Sequence, residues 1–396
     1  MRRMFLVALL ALSAAVLPAQ SPGSGPPSAP ADDPAQLSFM QYDPPSTLEV
    51  PEHPVPRARF PFVDVHSHQF DLDEAGVREL VAEMDKLDMA VMVNLSGRGF
   101  ERRTGPDGKS RFGLKERRYL LDAIALTERL APGRIVHFTN VDFSQTGGPD
   151  WPAAALADLA ADVAAGARGL KIYKGLGMDT LDVASQRIAV NDARLRPIWE
   201  ACARLGIPVL IHTADPAPFW QPKTKDNERL YEMIEVPGRW RDPAENTPWE
   251  QLIGEQHALF RANPTTTFIN AHLGWLGNVL GGLGILLDEA PNVLTEIGAV
   301  LAELGRQPRV AHDWLVKYQD RVMFGKDSWE PSEYPPYFRV LETADDYFPY
   351  YRRRHAFWKL YGLDLPDEVL RKLYYENALR VIPRLDRSRF PSAPVN

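Results

Sequence analysis

Eight short apolar runs, separated by longer stretches with apolar residues at helical spacing, constrain this chain more than any other feature of its sequence. The runs cover residues 62–66, 90–95, 135–141, 169–173, 208–212, 267–272, 293–297 and 322–325. This alternation indicates βαβ units, in which parallel strands are joined by crossover helices. Eight such units in one domain is the number of a closed barrel, and no Gly-rich dinucleotide motif follows the first run. The sequence therefore predicts an α/β fold, a (β/α)8 TIM barrel.

The stretches between the runs predict the outer helices of the barrel. They cover residues 74–87, 114–130, 152–165, 193–205, 248–262, 276–289 and 309–318. After the eighth strand, residues 345–361 and 366–380 predict C-terminal helices that close the domain. The longest interruption, residues 213–247, predicts a lid or a specificity insertion after strand five.

The start of the chain differs in composition from the rest. A positively charged start precedes an apolar run over residues 4–17, which is too short to span a bilayer comfortably, and small residues follow it. We interpret residues 1–19 as a signal peptide, with an uncleaved anchor as the alternative. Residues 20–59, rich in Pro, Ser, Gly and Ala, are expected to be a disordered spacer, and residues 60–385 the barrel. The sequence thus predicts an exported protein, periplasmic or secreted, without membrane insertion after signal cleavage.

The charge of the chain narrows the class of partner. Its formal net charge is -7 and its pI is near 5.8. The sequence therefore offers no basic surface for nucleic acid and no polybasic run for an anionic membrane. We expect a small-molecule substrate and no nucleic-acid partner, and a homo-oligomer stays open.

Residues of the types that bind metals stand at the C-terminal ends of four predicted strands. His66 and His68 end the first strand two residues apart, so strand geometry puts both on one face. His212 ends the fifth strand, His272 ends the sixth, and Asp327 follows the eighth. Because all these strand ends converge on one mouth of a barrel, the five residues can meet at one ion. Each alone could be a packed histidine or a helix N-cap, but packing gives no reason for all five to share this position.

With these residues, the chain resembles the amidohydrolase superfamily, in particular its amidohydrolase-related branch (amidohydrolase 2) of metal-dependent TIM-barrel hydrolases and decarboxylases. The resemblance runs from about residue 60 to residue 382 and includes residues 373–380, which are similar to the Asn-Ala helix that often ends this branch. It implies a divalent metal, with Zn2+ as the preferred ion. The residues that it implies as metal ligands are His66, His68, His212 and Asp327.

The resemblance also implies a reaction. In a hydrolase of this kind, the metal lowers the pKa of a bound water to about 7 and polarises the carbonyl of an amide, ester or lactone. Asp327 would take the water proton, and His272 would stabilise the oxyanion or assist the leaving group, so both are candidate catalytic residues. A metal-dependent decarboxylase of an aromatic or unsaturated acid is one alternative. A barrel that binds a ligand without turnover is the other.

Several side chains near these positions are candidates for substrate contact. Lys171 and Lys174 end strand four, and in binuclear members of the superfamily the residue that matches Lys171 is carboxylated and bridges two metals. We favour substrate contact and a single tightly held ion, because a free ammonium would repel a second cation. Strand parity alone leaves open which lysine faces the mouth. Tyr173, Trp275 and Trp329 end or follow strands and could line the pocket.

Two further charged residues are left open by the sequence. Glu296, at the end of strand seven, could reach the mouth or could be a structural acid in a salt bridge. Lys326 stands beside Asp327, where a small or polar residue is more usual in this branch, so it bears on the local substrate contacts.

Overall fold

The computed structural model describes residues 37–38, 42, 44–104, 110–352 and 358–392. The predicted signal peptide, residues 1–19, lies outside the described residues, and so does much of the predicted spacer. The chain divides into two compact units, Met1–Leu48 and Glu49–Asn396. The described residues of the first unit contain no helix or strand, and every element named below belongs to the second.

Ten strands occur in the described part of the chain, and eight of them coincide with the eight predicted runs. They are β1 (Phe62–Ser67), β2 (Met89–Asn94), β3 (Phe100–Thr104), β4 (Ser110–Leu114), β5 (Ile135–His137), β6 (Leu170–Ile172), β7 (Val209–Ile211), β8 (Phe268–Asn270), β9 (Val293–Glu296) and β10 (Val322–Met323). The eight strands are buried along nearly their whole length, which explains why they read as continuous apolar runs. The other two, β3 and β4, form an antiparallel hairpin, for which the sequence gives no strand prediction.

The eight predicted strands form a closed ring. Parallel pairing joins β1, β2 and β5 in one series and β6 to β10 in another. Between β5 and β6, the N–H of Arg168 donates to the carbonyl of His137 at 2.8 Å, and Thr139 pairs with Leu170. Between β10 and β1, the N–H of Val65 donates to Phe324 O at 3.0 Å. These bonds close the barrel, so the predicted (β/α)8 fold is confirmed.

Helices surround the ring. They are α1 (Glu74–Leu87), α2 (Arg118–Leu130), α3 (Ala153–Ala164), α4 (Gly175–Met178), α5 (Arg196–Leu205), α6 (Leu230–Glu235), α7 (Trp249–Ala262), α8 (Leu280–Glu289), α9 (Leu301–Gly305), α10 (Pro308–Lys317), α11 (Tyr334–Glu342), α12 (Asp367–Arg371) and α13 (Asn377–Val381). Their starts follow local chemistry: the Asp73 carboxylate, for example, accepts the Gly76 N–H at 2.8 Å and caps α1. A π-helical turn, Lys372–Glu376, joins α12 to α13, so a helical segment covers the predicted closing helix.

None of the helices in the described ranges has the length and apolar character needed to cross a bilayer.

The C-terminal region differs from prediction in one place. A helix was predicted over residues 345–361, but residues 345–352 and 358–361 contain no helix. Instead, Phe348 and Leu360 exchange two backbone hydrogen bonds, of 3.0 and 2.8 Å, across the loop. Conversely, α11 is a helix that the sequence does not predict, because it contains Pro335 and Pro336. Both prolines lie in its first turn, where the missing N–H groups have no helical partner to lose.

The insertion, residues 213–247, has an apolar cluster of its own. It contains α6 and two short 3-10 turns, Ala217–Trp220 and Pro237–Arg239. Phe219, Trp220 and Met233 are buried together with residues of α7, and Trp275 packs against this cluster from the barrel side.

Residues 53–59, within the segment predicted to be a spacer, make hydrogen bonds to the barrel. The N–H of His53 donates to Asp345 Oδ2 at 2.7 Å, and that of Ala58 donates to Leu87 O at 3.2 Å.

Candidate metal centre

Three donor side chains converge where β1 and β10 end. His66 Nε2 lies 3.3 Å from Asp327 Oδ1, and His68 Nε2 lies 3.7 Å from the same oxygen. Their ligand-type atoms all lie within 4.8 Å of one another. Imidazole nitrogens and a carboxylate oxygen are the donors that divalent transition metals use in proteins. The structure thus brings together the histidine pair of strand one and the acid of strand eight.

The backbone at Asp327 is unusual. Its φ of 84° lies in the left-handed region, which non-glycine residues adopt at a cost and which is concentrated at functional sites. The N–H of Asp327 donates to His66 O at 2.6 Å, so the end of β10 is held against the end of β1. Burial raises the pKa of Asp327, but electrostatic interactions with His66, His272, His68 and Lys171 lower it by more, so that it falls well below its ordinary value.

His212 and His272 complete the cluster at the mouth. The ring of His272 lies 4.7 Å from that of His66 and 4.5 Å from that of His212. The Nε2 atoms of His212 and His272 are both buried, and neither has a hydrogen-bond partner within the described chain. A buried polar atom without a partner in the protein can be satisfied by a ligand or by water. This observation, together with the donor set, fits a divalent metal with bound water or substrate at this mouth.

A hydrogen bond to the backbone fixes the orientation of the His272 ring. Its Nδ1 donates to Gly298 O at 2.8 Å. A carbonyl can only accept, so in the neutral ring the lone pair is on Nε2.

Glu296 is the residue that the sequence left open, and it supports two of the histidines. It is fully buried. The Nδ1 of His66 donates to its Oε1 at 2.9 Å, and the N–H of His272 donates to the same oxygen at 2.6 Å. A Cβ at Gly298 would collide with the Glu296 carboxylate, which explains the glycine there. His66, His272 and Glu296 also form a group of donor-type residues, but their close contacts are these hydrogen bonds. Glu296 therefore orients Nε2 of His66 towards the centre.

Lys171, and not Lys174, faces the centre. Its Nζ lies 3.3 Å from His66 Nε2, and the residue is 1% exposed. Burial lowers the pKa of Lys171 to about 8, although Asp327 and Glu296 act in the opposite direction. Lys174 instead contacts Asp215, with 2.6 Å between Nζ and Oδ1.

The three aromatic candidates lie in different places. Trp275 stacks on His272 at 4.5 Å, and Tyr173 lies 5.9 Å from His68. Both therefore line the mouth. Trp329 packs against Tyr334 at 5.5 Å, edge to face.

Asp64 and Lys326 lie close in sequence to the predicted metal ligands, but their side chains form hydrogen bonds with other residues. The Tyr334 hydroxyl donates to Asp64 Oδ2 at 2.6 Å, and burial raises the pKa of Asp64 to about 7. Lys326 Nζ donates to Ser328 O and to Glu333 Oε2, each at 2.6 Å. The Lys326 ammonium therefore fixes the loop after β10 and is directed to that loop's own acceptors.

A closed eightfold barrel with histidine and aspartate donors at the C-terminal mouth defines the class of metal-dependent TIM-barrel enzymes. The family model described as Amidohydrolase matches residues 63–384 of the chain. The chain therefore belongs to the amidohydrolase family. The family and the donor set both support a divalent metal at this mouth.

Solved structures that match the chain include two decarboxylases and a hydratase. The 2,6-dihydroxybenzoate decarboxylase from Rhizobium is 14% identical over 81% of this chain and 98% of that chain, with a TM-score of 0.46. The dihydroxybenzoic acid decarboxylase from a Polaromonas species, with bound manganese and the inhibitor 2-nitroresorcinol, is 13% identical over 81% and 96%, with a TM-score of 0.49. The 4-oxalomesaconate hydratase from Rhodopseudomonas palustris is 15% identical over 83% and 97%, with a TM-score of 0.47. Comparison with curated proteins gives no match.

Proposed function

We propose that the protein is a metal-dependent hydrolase that acts on a small carbonyl-containing substrate such as an amide, ester or lactone. The observation that carries the proposal is the convergence of two histidine Nε2 atoms on Asp327 Oδ1. Beside them lie two buried histidine nitrogens that have no hydrogen-bond partner among the described residues. The residues that would hold the ion, for which we propose Zn2+, are His66, His68, His212 and Asp327.

When bound, the ion supplies a Lewis acid that polarises a carbonyl and makes water more acidic. Asp327 is ionised, because its interactions with Lys171 and the neighbouring imidazoles hold its pKa below the ordinary value, and it can accept a proton from water. His272 presents Nε2 to the mouth and can hydrogen-bond the developing oxyanion or protonate the leaving group once it carries a proton. Trp275 stacks on His272 and so covers one face of that ring.

A carboxy-lyase is the second candidate, and Lys171 is the observation that favours it. Loss of CO2 leaves an electron pair on carbon, which must be protonated by a nearby group. Lys171 is almost completely buried, lies 3.3 Å from His66 Nε2, and carries a proton at neutral pH because its pKa is about 8. It can therefore deliver that proton away from bulk water.

One experiment separates the two reactions. Protein loaded with Zn2+ is given a panel of amides, esters and lactones and a panel of aromatic and unsaturated acids, with released acid and CO2 measured in parallel. We expect acid release, and we expect His66→Ala and His68→Ala to lose metal and turnover while the circular dichroism spectrum is retained. His257→Ala, which changes a histidine on α7, is the matched control. CO2 release alone would favour the carboxy-lyase. No turnover on either panel would favour the barrel that only binds a ligand.

We further propose that the protein is exported, on the strength of the charged start and the short apolar run of residues 1–19. N-terminal sequencing of the native protein is expected to begin near Gln20. Full-length chain recovered from the cytoplasm would contradict this proposal.

A further inference from the structure

Two cations meet at one carboxylate on the insertion side of the mouth. Asp215 follows β7, three residues after His212. Its Oδ1 lies 2.6 Å from Lys174 Nζ, and its Oδ2 accepts from Arg241 Nη2 at 2.7 Å. Lys174 follows β6, whereas Arg241 belongs to the insertion. We name Lys174, Asp215 and Arg241 the Asp215 cluster.

The Asp215 cluster carries a net positive charge, because two cations share one carboxylate. Among the residues that the structure describes, neither Lys174 nor Arg241 forms an ion pair with any other acid. The side chain of Asp215 is 9% exposed, but those of Lys174 and Arg241 are 41% and 23% exposed. The cations therefore reach the solvent while the neutralising carboxylate lies beneath them. This arrangement attracts an anion from the mouth.

The donors of the cluster are not all used by the protein. Arg241 Nε is buried and has no hydrogen-bond partner in the described part of the chain, and neither has Thr213 Oγ1, two residues before Asp215. A buried guanidinium N–H without an acceptor is destabilising. An anionic oxygen placed against Arg241 would supply the missing acceptor.

The cluster is held rigidly beside the candidate metal centre. Trp249 Nε1 donates to Asp215 O at 2.9 Å, and Trp275 Nε1 donates to Ala214 O at 3.2 Å. Trp275 also stacks on His272. The loop that carries Asp215 is thus fixed on both sides, and the cations are positioned before a ligand arrives.

We propose that Lys174 and Arg241 bind a carboxylate of the substrate, distinct from the group that reacts at the metal centre. The inference rests on the proposed function and narrows its substrate class to small organic acids. For a hydrolase, the substrate carries a free carboxylate besides its amide, ester or lactone. For a carboxy-lyase, it carries two carboxylates. Arg241 is then a specificity-determining residue contributed by the insertion.

The test measures binding of glutarate, a dianion, and of glutaramide, its neutral diamide, to the full-length, metal-loaded protein by calorimetry at matched ionic strength. We compare wild type with Arg241→Gln, Lys174→Gln and the control Lys223→Gln. Lys223 is an exposed cation of the same insertion that stacks on Trp240 at 4.2 Å, so the control removes one charge without touching the cluster.

We expect wild type to bind glutarate in preference to glutaramide. Loss of a charge-assisted hydrogen bond should weaken glutarate binding by about tenfold or more in Arg241→Gln and Lys174→Gln, and by less than about twofold in Lys223→Gln. Arg241→Lys, which keeps the charge, should recover part of the affinity. The metal ligands are the same in all five proteins, so a carboxylate bound by the metal alone would give equal affinities.

Equal glutarate affinity in wild type and Arg241→Gln, or no preference over glutaramide in wild type, would overturn the inference. Should Arg241→Gln fail to fold, Lys174→Gln decides, because its side chain is the more exposed of the two. The readout is binding and not turnover, so a failure of the proposed reaction and a failure of this inference give different results.

Discussion

At the scale of single residues, the candidate metal centre depends on side chains whose surroundings fix their charge. Burial lowers the pKa of His68 to about 4 and those of His66 and His212 well below the ordinary value. These imidazoles are therefore neutral at pH 7 and have a lone pair to offer a metal. Asp327 beside them is anionic. The centre thus presents its ligands in the protonation state that metal binding requires.

Asp327→Asn tests the proposed proton acceptor. The amide keeps an oxygen for the metal but cannot accept a proton, so we expect turnover to fall by about two orders of magnitude or more while metal content stays near wild type. Mass spectrometry of the metal and steady-state kinetics measure both quantities. Asp320→Asn, at an exposed acid on the far side of the barrel, is the control. Turnover close to wild type would remove Asp327 from the proposed mechanism.

Glu296→Gln tests the support of His66 and His272. The neutral side chain binds the His66 Nδ1–H less strongly, and its amide nitrogen would face the Gly298 N–H that now donates to Glu296 Oε2. Loss of such an orienting carboxylate weakens metal binding by about 10-fold to 100-fold. Competition with a chelator of known affinity measures this, with Glu289→Gln on α8 as control. Unchanged metal affinity would mean that Glu296 only neutralises charge.

At the scale of elements, the barrel could be predicted from sequence because its strands are buried on both faces. Each therefore reads as an apolar run, as residues 209–211 do. The hairpin of β3 and β4 has no such pattern, since its sequence is rich in charged residues. The helix predicted over residues 345–361 is wrong in the described part, where apolar spacing comes from a loop that packs Phe348 and Tyr350 inwards.

The candidate site could be predicted only in outline. The donors stand at strand ends, so the barrel number alone brings His66, His212 and Asp327 to one mouth, although their roles stay predictions. Glu296 could not be assigned because the two histidines that it supports are 24 and more residues away in sequence. The choice between Lys171 and Lys174 depended on the direction of each side chain at the end of β6, which periodicity does not give.

Arg229→Met tests how the insertion is attached. Arg229 donates to Glu303 of α9 and, at 3.1 Å, to Glu232 of α6, and all three side chains are at most 10% exposed. Removal of the cation breaks the buried pair with Glu303, whereas Glu232 keeps its contact with Arg239. Loss of one partner of a buried ion pair costs about 3–5 kcal/mol. We expect the free energy of unfolding, measured in urea by tryptophan fluorescence, to fall by about that amount.

The matched control for this prediction is Arg261→Met. Arg261 pairs with Glu289 at 2.6 Å, but both side chains are about half exposed, and exposed pairs contribute at most about 1 kcal/mol. Equal losses in the two variants would mean that the buried pairs of Arg229 do not hold the insertion.

At the scale of the whole molecule, the polar groups at the two ends of the barrel have different roles. A cavity of about 580 Å³ opens at the N-terminal end, between residues such as Pro208, Thr267 and Arg321. The Arg321 guanidinium there donates to the carbonyls of Leu287, Ala290 and Val293 and so caps the end of α8. Polar groups at this end stabilise the fold. The C-terminal mouth instead holds the buried Nε2 atoms of His212 and His272, which have no hydrogen-bond partner in the part of the chain that the structure describes. This is where we expect the metal.

The number of metal ions per chain decides whether this mouth is a single-ion site or a bridged two-metal site. Six positions of a two-metal site are present in the sequence, and they are His66, His68, Lys171, His212, His272 and Asp327. A bridged pair would need Lys171 to react with CO2, which only its neutral amine can do. With a pKa of about 8, Lys171 is mostly an ammonium at pH 7, and its charge 3.3 Å from His66 Nε2 opposes a second cation.

We therefore expect one tightly held ion per chain at pH 7, with no change when bicarbonate is added. Native mass spectrometry of protein titrated with Zn2+, with and without bicarbonate, counts the ions and detects any carbamate on Lys171. Raising the pH above the pKa of Lys171 makes the amine neutral and able to react with CO2. The same titration near pH 9 is therefore the stricter test of the single-ion prediction. The control is Lys171→Met, which cannot form a carbamate and should bind the same single ion. Two ions in wild type and one in Lys171→Met, with a carbamate-sized mass on Lys171, would establish a bridged pair instead.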